Sequence, residues 1–531
     1  MRDLELPGRS PAHGVNGMAA TSHTLSTATA LDILRRGGNA LDAAMAACAV
    51  QCVVEPESTG IGGDCFCLYA PNGGADVIAF NGSGKAPKAA HAEWFLENGI
   101  KKIPQQSPHA AVIPGAVDAW WQLNRDHGRL GLDEILQPAI RYARHGYPVA
   151  SRISVDFAFA VALLEKDENL KRVFMPGGRT PGVGEMHYQP ELANTLEAIA
   201  KNGRDAFYTG EIAEDMVAYL REHGGLHTLD DFASAKGYYV EPISTEFRGH
   251  RIWECPPNGQ GVTALQLLNI MSGYSTEGVD PVSVERLHIE IEAGRLAYQD
   301  RNTFVADPMK ADVPTDGMLS AERADELRAM IDPKTRMGEL PKPSMPDHKS
   351  TVYISVVDKD RNACSLINTL FSNFGNGMMA PKSGVTFTNR AQGFVIEPGH
   401  LNCIAPEKRP LHTIIPGMVT KGEKVVMPFG VMGGQYQAFG HMHFLTRYFD
   451  FGMDIQEAQD APRIFPDPGT GDVEMEGAIP ENVVAGLEKL GHRRVRPAKP
   501  IGGSQAIWID HERGIFTGGS EPRKDGCAIG Y

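Results

Sequence analysis

Ser350 and Thr351 stand where the character of the sequence changes abruptly. Residues 331–350 are rich in proline and charge and show little apolar periodicity, which predicts an exposed connection. Thr351–Val357 (TVYISVV) is β-branched and aromatic, which predicts a buried strand. If the chain were cut between Ser350 and Thr351, the Thr351 hydroxyl and a new α-amine would belong to one residue. Such an amine titrates at roughly pH 8 and can act as the base for its own hydroxyl.

The strand that begins at Thr351 is predicted to form a hairpin. Asp358–Asn362 (DKDRN) has the composition of a turn, and Ala363–Phe371 (ACSLINTLF) again has that of a strand. We also expect a short third strand at Gly384–Thr388 and a glycine-rich segment at Gly430–Gly434. Together these elements place a candidate nucleophile on a β-sheet.

The first half of the chain is predicted to be largely helical. Two helices are expected within residues 22–54, and a tight glycine turn at Gly60–Asp64 leads into an apolar run. Residues 107–235 also show helical periodicity, with one helix expected from Gly131 through Tyr142. Strands and helices in both halves predict layers stacked around sheets. A further helix after Asp280 has these residues on one face: Val284, Leu287, Ile291, Gly294 and Tyr298.

The composition is that of an ordinary globular protein and bounds the function. The chain has 531 residues and 57.6 kDa, which suits one large α/β body or two lobes. Its net charge of −14 disfavours nucleic acid and anionic membranes as partners. The sequence lacks the roughly 20 apolar residues in a row that a membrane span needs, and we expect no signal peptide. Eight cysteines without a CxxC pair predict reduced thiols and a cytoplasmic protein.

Several motifs occur in a characteristic order along almost the whole chain. They are Gly37–Ala44 (GGNALDAA), Gly60–Asp64 (GIGGD), Pro114–Val117 (PGAV), Gln137–Ile140 (QPAI), Thr351–Asp358 (TVYISVVD), Lys408–Leu411 (KRPL), Gly433-Gly434 and Asp525–Tyr531. On these motifs the chain resembles the γ-glutamyltransferase family of N-terminal-nucleophile hydrolases. A set of motifs in the same order is far more specific than any one of them.

The resemblance implies a proenzyme that cuts itself between Ser350 and Thr351. A large subunit, 1–350, and a small subunit, 351–531, would form one α/β body, a four-layer αββα sandwich. This αβ heterodimer could pair with a second copy, and no cofactor or metal is implied. The Thr351 hydroxyl would attack a small amide and form an acyl-threonine, which water or an acceptor amine would release.

Three further residues take catalytic roles from the same resemblance. Thr369 matches a second threonine that hydrogen-bonds the nucleophile, and its place on the partner strand lets it face Thr351. Gly433 and Gly434 match a pair whose backbone N–H groups form the oxyanion hole, where glycine permits the backbone to approach the substrate closely.

The positions that recognise a γ-glutamyl group depart from the family pattern. Its arginine in a Phe-Arg-Glu stretch is absent around Asn81, and its acidic pair is replaced by Gln392-Gly393. A polar residue two positions after Thr369 is replaced by Phe371, and a serine pair by His412-Thr413. The candidate substrate-binding residues are therefore Asn81, Phe371, Asn373, Asn389, Arg390, His412 and Thr413.

These departures remove the usual partners of both charges on a γ-glutamyl group. A buried ammonium without a carboxylate costs several kcal/mol, so glutathione is expected to be cleaved poorly. Arg390 could instead hold a carboxylate with its guanidinium fork, or it could be structural. The alternatives are therefore a γ-glutamyltransferase, a non-glutamyl acylase that cleaves oxamate or glutaryl amides of the cephalosporin type, and a catalytically silent binding protein.

Two other hydrolase classes are disfavoured by the spacing of their motifs. His441-x-His443 is the closest histidine pair, but the sequence has no HExxH and no acidic cluster beside that pair. Gly82-Ser83-Gly84 lacks the GxSxG spacing of a serine hydrolase elbow.

Overall fold

The computed structural model describes residues 8–340 and 351–531. Ser350, on one side of the predicted cut, lies outside the described residues. So does the second half, 341–350, of the connection predicted at 331–350. In the first half of that connection, residues 331–340 contain no helix or strand, and most of their side chains are exposed or half-buried.

Nineteen strands and nineteen α-helices lie within the described ranges. The strands are β1 (Ala12–Gly14), β2 (Gly17–Thr21), β3 (Asp64–Ala70), β4 (Ile78–Gly82), β5 (Tyr147–Pro148), β6 (Met186–His187), β7 (Tyr238–Val240), β8 (Ile243–Phe247), β9 (His250–Glu254), β10 (Val352–Asp358), β11 (Ala363–Thr369), β12 (Pro416–Lys421), β13 (Lys424–Met432), β14 (Ile464–Pro466), β15 (Val473–Met475), β16 (Arg494–Val495), β17 (Gly503–Asp510), β18 (Ile515–Ser520) and β19 (Cys527–Gly530). The helices are α1 (Thr24–Arg35), α2 (Ala40–Val54), α3 (Ala92–Glu97), α4 (Ala116–His127), α5 (Leu132–Ile135), α6 (Gln137–His145), α7 (Ser151–Leu164), α8 (Glu168–Phe174), α9 (Pro190–Asn202), α10 (Asp205–Tyr208), α11 (Gly210–Glu222), α12 (Leu229–Ala233), α13 (Gly261–Met271), α14 (Val284–Phe304), α15 (Thr315–Leu319), α16 (Ala321–Ala329), α17 (Tyr436–Phe449), α18 (Ile455–Asp460) and α19 (Glu481–Lys489).

Two antiparallel sheets of seven strands each form the middle of the molecule. The first has the order β19-β2-β10-β11-β3-β4-β7, so the predicted hairpin β10–β11 lies at its centre. The second has the order β1-β18-β17-β13-β12-β9-β8. Apolar side chains from both sheets, among them Phe66, Tyr353, Ile367 and Met418, pack in one buried layer between them. This burial fixes which face of each strand points inward.

Helices cover the outer face of each sheet. The side chains of α2 are all buried, and the helix packs with α1 on the first sheet. Its first turn is fixed by a capping box, in which Asn39 accepts the Asp42 N–H and Asp42 accepts the Asn39 N–H. On the second sheet, α13, α14 and α17 supply the apolar cover. The predicted four-layer αββα sandwich is confirmed.

Two local predictions are wrong. Gly384–Thr388 is not a strand, because Phe387 and Thr388 give their N–H groups to two different loops and Gly384 has a φ of +66°. The helix expected from Gly131 through Tyr142 is two helices, α5 and α6, which meet at Leu136. The ring of Pro138 fits the first turn of α6 and would break a continuous helix. None of the described helices combines the length and apolar character that crossing a bilayer demands.

Candidate active site

Two threonine hydroxyls meet at the open end of the central hairpin. Val352 pairs with Asn368 across β10 and β11, which brings Thr351 beside Thr369. Their Oγ1 atoms lie 3.3 Å apart, and both side chains are buried. Thr369 Oγ1 also accepts the N–H of Phe371 at 2.9 Å, so its own proton can be given to Thr351. The predicted proximity of the two residues is therefore seen in the structure.

A glycine turn of the second sheet leads into a helix whose first turn reaches the same hydroxyl. Gly433 and Gly434 join β13 to α17 with φ values of +126° and +62°, which disfavour any residue with a Cβ. A Cβ added to Gly433 would lie 2.7 Å from the Cα of Gly502. In the first turn of α17, Gln437 Nε2 lies 3.4 Å from Thr351 Oγ1. Backbone N–H groups at a turn that precedes a helix are suited to an anion.

Buried side chains hold the glycine turn, and Gln260 is one that no sequence motif indicated. Gln260 donates from Nε2 to the carbonyl of Gly434 at 3.1 Å and to that of Thr413 at 2.8 Å. Val431, near the end of β13, gives its N–H to His441 Nε2 at 3.2 Å, one residue beyond the last pair of β12 with β13. These contacts fix the direction in which the turn leaves the sheet.

Arg390 is fully buried and packs on Phe371, which follows Thr369 by two residues. Its Nε lies 3.4 Å from Asp64 Oδ2, and its Nη1 donates to Thr413 Oγ1 at 3.2 Å. The guanidinium carbon lies 4.0 Å from the centroid of the Phe371 ring, a cation–π contact. Burial lowers the pKa of Arg390 to about 9. Its Nη2 is buried and has no hydrogen-bond partner among the described residues, so the fork has a donor to spare.

Asp64 connects this arginine to the strand that carries Thr369. It pairs with Thr369 in the β3–β11 ladder and accepts the Gly84 N–H at 2.6 Å. His412 Nε2 lies 3.0 Å from Oδ2 of the same carboxylate. Burial acts to raise the pKa of Asp64, but the hydrogen bond from His412 and the Arg390 cation lower it below its ordinary value. The sequence offered a signal for this residue, since Asp64 ends the Gly60–Asp64 motif.

The remaining candidates lie in supporting networks. Asn81 donates to the Asn258 side chain at 2.8 Å and accepts the N–H and hydroxyl of Ser83. Asn389 accepts the Ser372 N–H at 2.9 Å and donates to the Ser372 hydroxyl. Asn373 is half-buried in the loop after β11. The structure thus gathers Phe371, Arg390, His412 and Thr413 around Asp64, whereas the amides of Asn81 and Asn389 are bonded within the protein.

The histidine pair of the rival metal interpretation is not arranged to bind metal. His441 Nδ1 lies 2.6 Å from Glu254 Oε1, and its Nε2 accepts the N–H of Val431, so both ring nitrogens are engaged. Among the described residues, no three histidine, cysteine or acidic side chains come together as metal ligands.

Comparisons with known proteins agree with this geometry. Residues 26–531 match the family model described as Gamma-glutamyltranspeptidase. A glutathione hydrolase-like YwrD proenzyme of Bacillus subtilis is 34% identical and covers 97% of this chain and 99% of its own. An oxamate amidohydrolase proenzyme of Klebsiella pneumoniae is 32% identical, with 97% and 98% covered. The crystal structure of cephalosporin acylase from Bacillus halodurans superposes with a TM-score of 0.93 at 37% identity, covering 100% of this chain and 99% of that one.

Proposed function

Because the chain belongs to the gamma-glutamyltranspeptidase family, we propose that it is made as a precursor that cuts itself between Ser350 and Thr351. The large subunit is then 1–350, the small subunit is 351–531, and the two remain together as an αβ heterodimer. Three relatives with proenzyme or acylase names support this proposal. The observation that carries it is the 3.3 Å contact between the Thr351 and Thr369 hydroxyls at the start of β10.

Self-cleavage uses the same hydroxyl as catalysis. The Thr351 oxygen adds to the Ser350 carbonyl carbon, the C–N bond breaks, and the amine takes the hydroxyl proton. Water then hydrolyses the resulting ester and leaves Thr351 with a free α-amine. Thr369 supports the step by hydrogen-bonding the attacking oxygen.

In the mature enzyme the α-amine accepts the proton from the Thr351 hydroxyl as the oxygen attacks an amide carbon. The N–H groups of Gly433 and Gly434 stabilise the oxyanion. The α-amine returns the proton to the leaving amine, which departs as the acyl-threonine forms. Water, or an acceptor amine, attacks the acyl-threonine and regenerates the hydroxyl.

The acyl donor that fits the site is a monoamide of a dicarboxylic acid. Nη2 of Arg390 is the donor available for its free carboxylate. A γ-glutamyl group would also bring an ammonium, and Asn389 and Gln392 offer that charge only neutral amides. We therefore place oxamate or glutaryl amides ahead of glutathione. The named activities of the oxamate amidohydrolase and cephalosporin acylase relatives support this order.

A cytoplasmic location completes the proposal. All eight cysteines are free thiols, and Cys67 and Cys364 remain unbonded although their Sγ atoms lie 3.8 Å apart on neighbouring strands. Reduced, buried thiols are typical of a reducing compartment.

The test is the intact mass of the purified wild type beside Thr351→Ala and Thr351→Ser. We expect two fragments in the wild type, the smaller beginning at Thr351, and a single 57.6 kDa chain in Thr351→Ala. Thr351→Ser keeps a hydroxyl and should still be cut. The wild type is then assayed with oxamate, a glutaryl amide and glutathione. A wild type that stays uncut would support the silent binding protein instead.

A further inference from the structure

Arg301 in α14 is a buried cation whose hydrogen bonds go only to neutral groups. Its side chain is fully buried. Nη1 donates to Gln260 Oε1 at 2.7 Å, and Nη2 donates to Gln435 Oε1 at 2.8 Å and to Asn302 Oδ1 at 2.8 Å. The guanidinium carbon lies 4.5 Å from the centroid of the Tyr298 ring. All three hydrogen-bond acceptors are amide oxygens, which carry no charge.

Several other buried arginines among the described residues are neutralised by carboxylates, although Arg409, like Arg301, donates from its side chain to neutral carbonyl oxygens. Such pairs are Arg286 with Glu290, Arg295 with Glu292, Arg447 with Glu290, and Arg463 with Glu521. The carboxylate that acts on Arg301 is that of Asp467. It acts only through its charge, at a longer distance than a hydrogen bond. Burial lowers the pKa of Arg301 to about 10, so the group stays protonated at neutral pH. A buried cation without a carboxylate on it is costly and calls for another compensating charge.

The position of Arg301 indicates what that charge is. Gln260, its Nη1 partner, donates to the carbonyl of Gly434. Gln435, its Nη2 partner, follows Gly434 directly and precedes α17, and the Tyr298 hydroxyl donates to the Gln435 carbonyl. One side-chain amide, that of Gln260, therefore connects the guanidinium to the carbonyl of Gly434 in the Gly433–Gly434 turn. Because the group is buried, its field is weakly screened, and the N-terminus of α17 adds potential of the same sign.

We propose that Arg301 is a positioning residue that fixes the Gly433–Gly434 turn and places a permanent positive charge behind it to stabilise the oxyanion. This inference rests on the proposed function, since it presupposes that the glycine turn receives the oxyanion. The negative charge that compensates Arg301 is then the oxyanion that forms in the transition state of the reaction. A charge that acts on a transition state should change kcat more than KM.

The first test compares Arg301→Met, which removes the charge, with Arg301→Lys, which retains it. Each kcat is calculated per molecule of self-cleaved chain, and the amount of self-cleaved chain is measured by intact mass. We expect Arg301→Met to lower kcat by about 10- to 100-fold with KM within about twofold, and Arg301→Lys to recover a large part of the loss. Arg447→Met is the matched control, because it removes a buried arginine from the far end of α17. It should lower thermal stability and leave kcat unchanged.

A second test separates charge from folding. Gln435→Glu places a carboxylate on Arg301 and forms a buried ion pair, so the chain should remain folded. If the cation acts on the oxyanion, kcat should nevertheless fall by about tenfold or more. This variant also decides the matter if Arg301→Met fails to fold or to cut itself. An unchanged kcat in Gln435→Glu would overturn the proposal.

The third test uses butylboronic acid as a probe of the tetrahedral state. The Thr351 oxygen adds to boron, the hydroxyl proton passes to the α-amine, and the boron becomes a four-coordinate anion. Arg301→Met should weaken the binding of butylboronic acid by the same factor as kcat/KM and leave the affinity for 1-pentanol, which stays uncharged in the site, within about twofold. Equal weakening of both compounds would mean that Arg301 is merely structural. An uncut or inactive wild type would instead refute the proposed function and is recognised before any variant is compared.

Discussion

His412 donates a hydrogen bond to Asp64 as a neutral ring. Its Nδ1 accepts the N–H of Ile414 at 3.3 Å, so the proton is on Nε2, which lies 3.0 Å from Asp64 Oδ2. Burial, followed by the nearby Arg390 cation, lowers the pKa of His412 from 6.5 to about 4. The ion pair with the Asp64 carboxylate is therefore made by Arg390, whereas His412 contributes a neutral hydrogen bond. This relationship has consequences for both stability and specificity.

We expect His412 to make the fold sensitive to weak acid. Because the folded ring binds its proton with a pKa of about 4 rather than 6.5, its contribution is complete above pH 6.5. That contribution, about 3 kcal/mol, is lost as the pH falls toward 4. His412→Gln should be less stable at pH 7 and should lose less stability between pH 7 and 4.5, measured as the thermal midpoint. His13→Gln, at an exposed ring, should keep the wild-type dependence on pH. If the thermal midpoint of His412→Gln changed with pH as that of the wild type does, the result would contradict this prediction.

Asp64 and Arg390 are expected to be strongly coupled. Asp64→Asn leaves a buried cation with neutral partners, which costs about 3–5 kcal/mol. Adding Arg390→Met removes that cation and should restore much of the thermal stability, although activity stays low. The measurement is a double-mutant cycle of unfolding midpoints. Asp32→Asn, in an exposed pair with Arg36, is the control and should change little. A double variant no more stable than Asp64→Asn would mean that the two charges are independent.

The hairpin β10–β11 could be predicted from sequence because the residues that specify it are contiguous. The β-branched run at Thr351, the turn at 358–362 and the second run to Thr369 are contiguous, so their pairing follows from the turn. The alternation of apolar residues then predicts which side chains face each other. The prediction of helices was wrong only at a boundary, where Pro138, two residues after Leu136, divides the predicted helix.

The rest of the site depends on pairing between distant segments. Asp64 reaches Thr369 because β3 lies beside β11, an arrangement that spans about 300 residues and leaves no local pattern. Gln437 gave no signal at all. Arg301 did give one: it lies three residues after Tyr298 on the predicted apolar face of its helix, where a charge is out of place. The motif of Asn81 was recognised, and the structure places its amide in a hydrogen bond with Asn258, so its part in substrate binding stays a prediction.

Removing the second hydroxyl should slow both chemical steps without unfolding the chain. A hydrogen bond to an oxygen that gains charge is worth about 1.5–3 kcal/mol, or roughly 10- to 100-fold in rate. Thr369→Val should therefore slow self-cleavage and kcat by that factor, measured by intact mass over time and by steady-state kinetics. Thr369→Ser should retain most of both rates. Thr420→Val, at a buried threonine that accepts from Trp253, controls for the loss of a strand hydroxyl. Wild-type rates in Thr369→Val would return Thr369 to the role of a strand residue.

Arg390 should decide which acyl group the enzyme accepts. Its Nη2 can bind the free carboxylate of a glutaryl group but has no partner on a butyryl group. For Arg390→Met we expect KM for glutaryl-4-nitroanilide to rise by about 10- to 100-fold, the range of a charged hydrogen bond, and KM for butyryl-4-nitroanilide to stay within about twofold. The ratio of kcat/KM for the two substrates is the measurement, because general damage to the site cancels in it. Arg390→Lys keeps the charge without the planar fork. Its ratio of kcat/KM should lie between that of the wild type and that of Arg390→Met. If both substrates lost the same factor, Arg390 would be a structural residue that supports Phe371 rather than the determinant of specificity.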